Sequence, residues 1–164
     1  MKGIAVFKGE GGVTGEATFE DSATGLIIRA KFAKLPSSDK EHGFHIHNNG
    51  DLRGEGCLGA CSHYEKGPKR NHGGAPGFSG ERHTGDLGNI SRVGYTYNYR
   101  LAGVTVLDLL GRTLIVHADP DDLGKGGEID SLTTGHSGKR IACAIIGRAV
   151  DCDGKKTRKV KRTK

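Results

Sequence analysis

Apolar residues recur along this chain in short runs or at alternate positions, and turn-forming residues separate them. Eight segments carry the pattern: residues 3–8, 15–20, 26–33, 41–47, 86–91, 94–101, 111–117 and 139–147. Alternation sends successive side chains to opposite faces of an extended chain, so each segment predicts a β-strand with one buried face. No segment shows sustained helical periodicity with caps. The expected architecture is all-β with eight strands. Two long stretches, 48–85 and 118–138, resist strand assignment. Loops of that length in a compact domain usually carry function.

Composition agrees with this picture. The 164 residues suffice for one domain with a real core. Gly is abundant at 28, Trp is absent and Met occurs once, which favours strands joined by turns over a helical bundle. No run of apolar residues is long enough to span a membrane. The opening MKGIAVFKGEGG lacks the long apolar segment of a secretory signal, so a cytoplasmic location is expected.

The net charge of +6 belongs to one end of the chain. Residues 155–164, KKTRKVKRTK, hold seven of the 25 Lys and Arg, which leaves 18 bases against 19 acids in residues 1–154. A nucleic-acid-binding domain would carry its charge on a folded face instead. The expected organisation is a domain over residues 1–150 and a basic, disordered tail over 151–164. The tail suggests contact with a polyanion through counterion release.

The candidate chemistry lies in the histidines. Six of the eight fall in the order His45-x-His47, His63, His72, His83, His117, and Asp86 follows His83 by three. In a strand His45 and His47 share a face, while Phe44 and Ile46 point to the other face and the core. A solvated strand face would also accept such a pair. His117 ends an apolar strand and could add a third nitrogen. His63, His72, His83 and Asp86 occupy one long loop and its exit. Three nitrogens and a carboxylate oxygen form a closed tetrahedral set for zinc. Gly73, Gly74, Gly77, Gly80 and Gly85 let that loop fold tightly around an ion. Each histidine taken singly is more often a solvated loop residue, but together they point to metal. Cu(II) prefers four nitrogens in a tetragonal arrangement. Four for copper and three for zinc make seven nitrogens from six histidines, so one imidazole must serve both ions.

The segments GFHIHNNGD, GC at 56–57, His63, HGG at 72–74, ERHTGDLGNI, GRTLIVH, DDLGKGG and GKRIACAIIG, in this order, resemble the Cu/Zn superoxide dismutases. The resemblance runs from about residue 3 to 150. It implies an eight-stranded Greek-key β-barrel or sandwich, immunoglobulin-like, with two long functional loops; this family is itself a standard instance of that architecture. It implies copper ligands His45, His47, His63 and His117, and zinc ligands His63, His72, His83 and Asp86, with His63 the bridge. Asp121 matches the outer carboxylate that joins a copper histidine to a zinc histidine, although Asp122 beside it is a plain alternative from sequence. Cys57 and Cys143 match the family's disulfide, which would contribute roughly 2–4 kcal/mol. Arg140 matches the arginine beside copper, and Thr134 the threonine that narrows the channel. Cys61 and Cys152 are left over; Cys61, two residues before His63, reads as a free loop thiol or a mispairing risk sooner than as a metal ligand.

The implied reaction is disproportionation of superoxide. Copper is the cycling ion, zinc is redox-silent, and His63 takes up a proton when its copper side is released. The chain departs from the family at Asn49, where a Phe is common, and at Arg148, where an apolar residue is common. Both positions lie in the usual homodimer contact, so a weakened homodimer is expected. Thr133 stands where a lysine is usual, leaving Lys125, Lys139 and above all Arg140 to steer the anion. Tyr95, Tyr97 and Tyr99 alternate as one sheet face. A copper-delivery protein of the same fold is the main rival. It would tend to lose copper ligands and gain Cys-x-Cys or Cys-x-x-Cys, and this chain does neither. A structural zinc protein with an empty copper site is the second.

Overall fold

The computed structural model describes residues 1–37 and 39–150. The tail expected from residue 151, with Cys152, lies outside the described residues.

All eight expected strands are present: β1 (Lys2–Lys8), β2 (Thr14–Ser22), β3 (Gly25–Lys34), β4 (His42–His47), β5 (Asp86–Ile90), β6 (Thr96–Leu101), β7 (Thr113–His117) and β8 (Arg140–Ile145). The expected segment 139–147 divides: a ninth strand, β9 (Gly147–Arg148), takes its last residue and runs one beyond it. The segment's alternation is unbroken, since Ala142, Ala144 and Ile146 are all buried. Only the backbone partner changes: β8 pairs with β7, whereas Gly147 and Arg148 pair with Ile4 and Gly3 of β1. A period-2 pattern records which face is buried, not which strand is adjacent.

Two antiparallel sheets form, in the orders β6-β3-β2-β1-β9 and β5-β4-β7-β8. They face each other as a sandwich, with no closed barrel among the described residues. The chain passes from the first sheet to the second after β3, back at β6, and over again at β7, in the Greek-key manner. In β3, Leu26, Ile28, Ala30 and Phe32 point inward. Phe7, Phe32 and Phe44 interlock at ring separations of 5.6–6.5 Å. Tyr97 and Tyr99 join this core against Phe32 and Phe44, while Tyr95 meets Tyr97 edge to face from outside, so the tyrosines act as packing.

The connections between strands hold only brief helical turns. A 3-10 segment spans Glu55–Ala60, α1 spans Val106–Leu109 and α2 spans Ser131–Thr134. None of the helices among the described residues is long and apolar enough to cross a membrane. Strand β4 is buried at every position. Phe44 and Ile46 face the sandwich core, and the opposite face, bearing His45 and His47, is covered by the two loops instead of by water.

Candidate metal centre

Strands β4 and β7 lie side by side and antiparallel, with His45 opposite Ile115 and Phe44 opposite Val116. This register brings His117, at the end of β7, to the face of β4 that carries His45 and His47. The loop after β4 then returns, and His63 forms a backbone bridge with His47. The backbone carbonyl and amide of Ile46 hold Tyr64 and Gly85, so both ends of the ligand loop are pinned to β4. Gly85 is required there, because a Cβ would strike the Ile46 carbonyl.

His45, His47, His63 and His117 offer ligand atoms within 4.8 Å of one another, and all four are buried. Each ring has one engaged nitrogen. His45 Nε2 donates to Asp121 Oδ2 at 2.8 Å, His47 Nδ1 to the Cys61 carbonyl at 2.7 Å and His117 Nδ1 to the Gly138 carbonyl at 3.2 Å. These oxygens only accept, so they fix the tautomer and leave a lone pair on the other nitrogen. The remaining nitrogens, His45 Nδ1, His47 Nε2, His63 Nε2 and His117 Nε2, are buried with no hydrogen-bond partner. Such groups cost stability unless something fills the gap. Four neutral imidazole lone pairs in one pocket suit copper. His42 Nε2 is also unpartnered, but His42 belongs to none of the clustered groups.

Burial keeps this set neutral. His45 and His47 are held well below the ordinary histidine range by burial first and by their neighbour His63 second. His117 is pushed down to about 3 for the same reasons.

The second group, His63, His72, His83 and Asp86, shares His63 with the first. Three Nδ1 atoms converge on one oxygen, Asp86 Oδ1, at 2.8 Å from His63, 3.0 Å from His72 and 3.3 Å from His83. His72 Nδ1 and His63 Nδ1 are 3.3 Å apart. A tetrahedron with zinc–nitrogen bonds of about 2.0–2.1 Å has edges of about 3.3 Å, so the donor spacing fits zinc. The other oxygen, Asp86 Oδ2, accepts from the Gly73 and His83 amides at 3.0 and 2.7 Å, which turns Oδ1 towards the histidines. Burial opposes ionisation of Asp86, but hydrogen bonds from the three histidines override it and hold the carboxyl far below its usual range.

Asp121 joins the two groups. Its Oδ2 meets His45 Nε2 and its Oδ1 meets His72 Nε2, both at 2.8 Å. Both oxygens are thus spent on ring N–H groups, so the cluster of His45, His72 and Asp121 is a brace and not a third ion site. Burial works against a charged His72, yet Asp121 and Asp86 lift its pKa to about 9. Asp122 does a different job, accepting from the Ser131 hydroxyl at 2.5 Å to close α2.

Arg140 pairs in register with His117 across a β-bulge. Its Nη1 donates to the Cys57 carbonyl at 2.9 Å, and its Nη2 to the Cys61 carbonyl. The same Cys61 carbonyl holds His47. Among the described residues Arg140 has no carboxylate partner, and its charge disfavours protonation of both His47 and His117. The Cys57–Cys143 disulfide is present and ties the loop to β8 three residues beyond Arg140. Cys61 is a free, exposed thiol outside both ligand groups. Thr134 ends α2, and its hydroxyl bonds Asp130 at 3.0 Å. Its neighbour Thr133, with Lys69 and Arg70, lines the cleft of about 410 Å³ that reaches His63 and His83. Lys125 lies over the Phe78 ring.

Two parts of the centre were not read from sequence. Asn89 clamps Asp121 by accepting from its amide at 2.7 Å and donating to its carbonyl at 2.8 Å. The Cys61 carbonyl orients His47 and Arg140. A backbone acceptor leaves no mark on residue type, so only the fold could reveal it.

A two-sheet sandwich that buries two fused histidine groups around one shared imidazole defines a two-metal protein of the copper-and-zinc kind. Residues 13–146 match the copper/zinc superoxide dismutase family. A Cu-Zn superoxide dismutase of Yarrowia lipolytica is 40% identical over 154 residues, covering 90% of this chain and 97% of that protein. Cu-Zn superoxide dismutase A of Xenopus laevis is 38% identical over 90% of this chain and 97% of its own. The Cu-Zn superoxide dismutase of Paramecium bursaria Chlorella virus 1 is 40% identical over 91% of this chain and 79% of its own. The chain belongs to the copper/zinc superoxide dismutase family.

Proposed function

We propose that this protein is a copper- and zinc-dependent superoxide dismutase. His45, His47, His63 and His117 hold the copper, and His63, His72, His83 and Asp86 hold the zinc. The observation that carries the reading is the set of four buried, unpartnered imidazole nitrogens, one on each residue of the copper group. When bound, a Cu(II)/Cu(I) couple supplies the electron exchange that turns two superoxide anions and two protons into dioxygen and hydrogen peroxide, while redox-silent zinc supplies fixed charge.

The chain's own groups do the rest. Arg140, with no counter-carboxylate, presents a permanent cation to the incoming anion. The carbonyls of Cys57 and Cys61 hold its guanidinium, and the disulfide ties Cys57 to β8. His63 keeps Nδ1 in the zinc group and can accept and return a proton at Nε2. The residue is only 4% exposed and Nε2 itself is buried, so the proton is held inside the pocket between transfers. Asp121 keeps His45 and His72 in one orientation throughout. Thr134, beside the cleft-lining Thr133, narrows the approach.

The enzyme is a homodimer in this reading, with a contact weakened at Asn49 and Arg148. Leu52 and Val150, each close to one of those positions in sequence, stay exposed at 39% and 68%. The basic residues 155–164 add contact with polyanions, supported by their seven charges. Deleting them removes retention on heparin, and unchanged retention contradicts that part.

Superoxide decay followed directly by pulse radiolysis tests the function. With one copper and one zinc per chain, the expected second-order constant is on the order of 10⁸–10⁹ M⁻¹s⁻¹, a range for which this enzyme class is a standard example. A rate no better than buffer with both metals bound contradicts the proposal.

A further inference from the structure

The back of the ligand loop and the turn after β6 enclose a second concavity, of about 450 Å³. Its charged lining is entirely basic: Lys66, Arg70, Arg82 and Arg100, with no carboxylate among the lining residues. Three separate stretches of chain supply these four cations, so the grouping comes from the fold and not from a run of charge.

Among the described residues, three of the four meet no carboxylate at ion-pair distance. Arg82 donates from Nε to the Gly74 carbonyl at 3.0 Å, and from Nη2 to the Thr84 and Asp86 carbonyls at 3.2 and 2.6 Å, all neutral acceptors. Arg100 donates to the Thr24 hydroxyl, also neutral. Arg70 makes no hydrogen bond or ion pair among the described residues. Only Lys66 meets a carboxylate, Asp108 at 2.8 Å, and it also donates to the Gly103 carbonyl at 2.9 Å. The mouth is open, since a Cβ added at Gly77 or Gly103 would meet nothing within 4 Å. Like charges gathered in one concavity repel unless an anion enters it.

We propose that this concavity binds a multiply charged phosphoryl oxyanion, either free orthophosphate or a phosphate monoester. Arginine forks match the spacing of phosphoryl oxygens and bind them with paired, charge-assisted hydrogen bonds. Arg70 and Arg100, which meet no carboxylate among the described residues, favour a dianion over a monovalent ion, while nearby Asp86 and Glu65 offset part of the Arg82 charge. The volume falls in the range of small-ligand sites. Neither Arg140 nor any member of the copper group lines it, although Arg70 also lines the cleft that reaches His63. Arg82 also grips the carbonyls of Gly74 and Asp86, so an occupied site braces the ligand loop from behind.

The test is calorimetric titration of the copper- and zinc-loaded protein with orthophosphate and, separately, with ribose 5-phosphate, at constant ionic strength. The expected result is one saturable equivalent that survives R140A and weakens at least about tenfold in R70A and in R100A. R100K, which keeps the charge but loses the fork, should weaken binding less than R100A. Far-UV circular dichroism and metal content establish that each variant is folded. Tighter binding of the ester assigns the site to an organic phosphate, and equal binding assigns it to free phosphate. Heats no larger than those of a matched chloride titration overturn the proposal. So does an affinity unchanged in R70A and R100A, or one lost in R140A alone.

Discussion

His117, proposed as a copper ligand, shows what burial does to an imidazole. Its pKa is pushed down to about 3, mainly by burial and then by His63, whereas an unfolded histidine titrates near 6.5. A base with a depressed folded pKa is neutral in both states above about 6.5, so it costs nothing there. As pH falls from about 6.5 towards 3, the unfolded state takes up the proton first and stability drains away. The metal-free protein is therefore expected to unfold at a lower urea concentration at pH 4.5 than at pH 7. H117Q should show a smaller loss between the two, and an equal loss in both proteins would contradict this assignment. Arg140 carries the complementary prediction. R140A should keep both metals and lose roughly tenfold or more in its second-order rate with superoxide, with a flatter decline as salt rises. A rate in the parent protein that ignores ionic strength would contradict steering.

At the scale of elements, the metal centre depends on loops packed to contact. Gly135 follows α2 with φ +67, and a Cβ there would collide with Asp121 Oδ1 and His72 Nε2. G135A is expected to break the brace between the two histidine groups and lower zinc retention against a chelator by at least about tenfold. Retention equal to the parent would show that the loop yields. The strands and His45-x-His47 were legible in the sequence because period 2 and shared faces are local properties. The switch from β8 to β9 was not, because the buried face continues while the neighbouring strand changes. Asp121 could be told from Asp122 only by resemblance. In the fold the difference is plain, since Asp121 reaches His45 and His72 while Asp122 closes α2. Asn89 and the Cys61 carbonyl gave no signal, one an ordinary strand residue and the other a backbone oxygen.

At the scale of the whole molecule, the sandwich contributes one rigid face, β4 beside β7, on which three histidines stand at fixed separations. The two loops close over it and bring His63 between the groups. Association into a homodimer is expected to be weak, because Asn49 is engaged within its own chain, its amide donating to the Gly59 carbonyl and the Cys61 sulfur. Sedimentation equilibrium should give a mass that falls from dimer to monomer on dilution through the micromolar range. A dimer that persists at nanomolar concentration would contradict it.

In the proposed enzyme six histidines and Asp86 hold two ions through one shared imidazole. Electron paramagnetic resonance tests this most directly, on protein carrying Cu(II) in both sites at neutral pH. Two unpaired electrons joined through a single bridging His63 should couple, so the spectrum should show far less signal than two spins per chain. Two full, independent copper signals, with both ions accounted for by metal analysis, would mean that His63 does not bridge and that the two groups work apart.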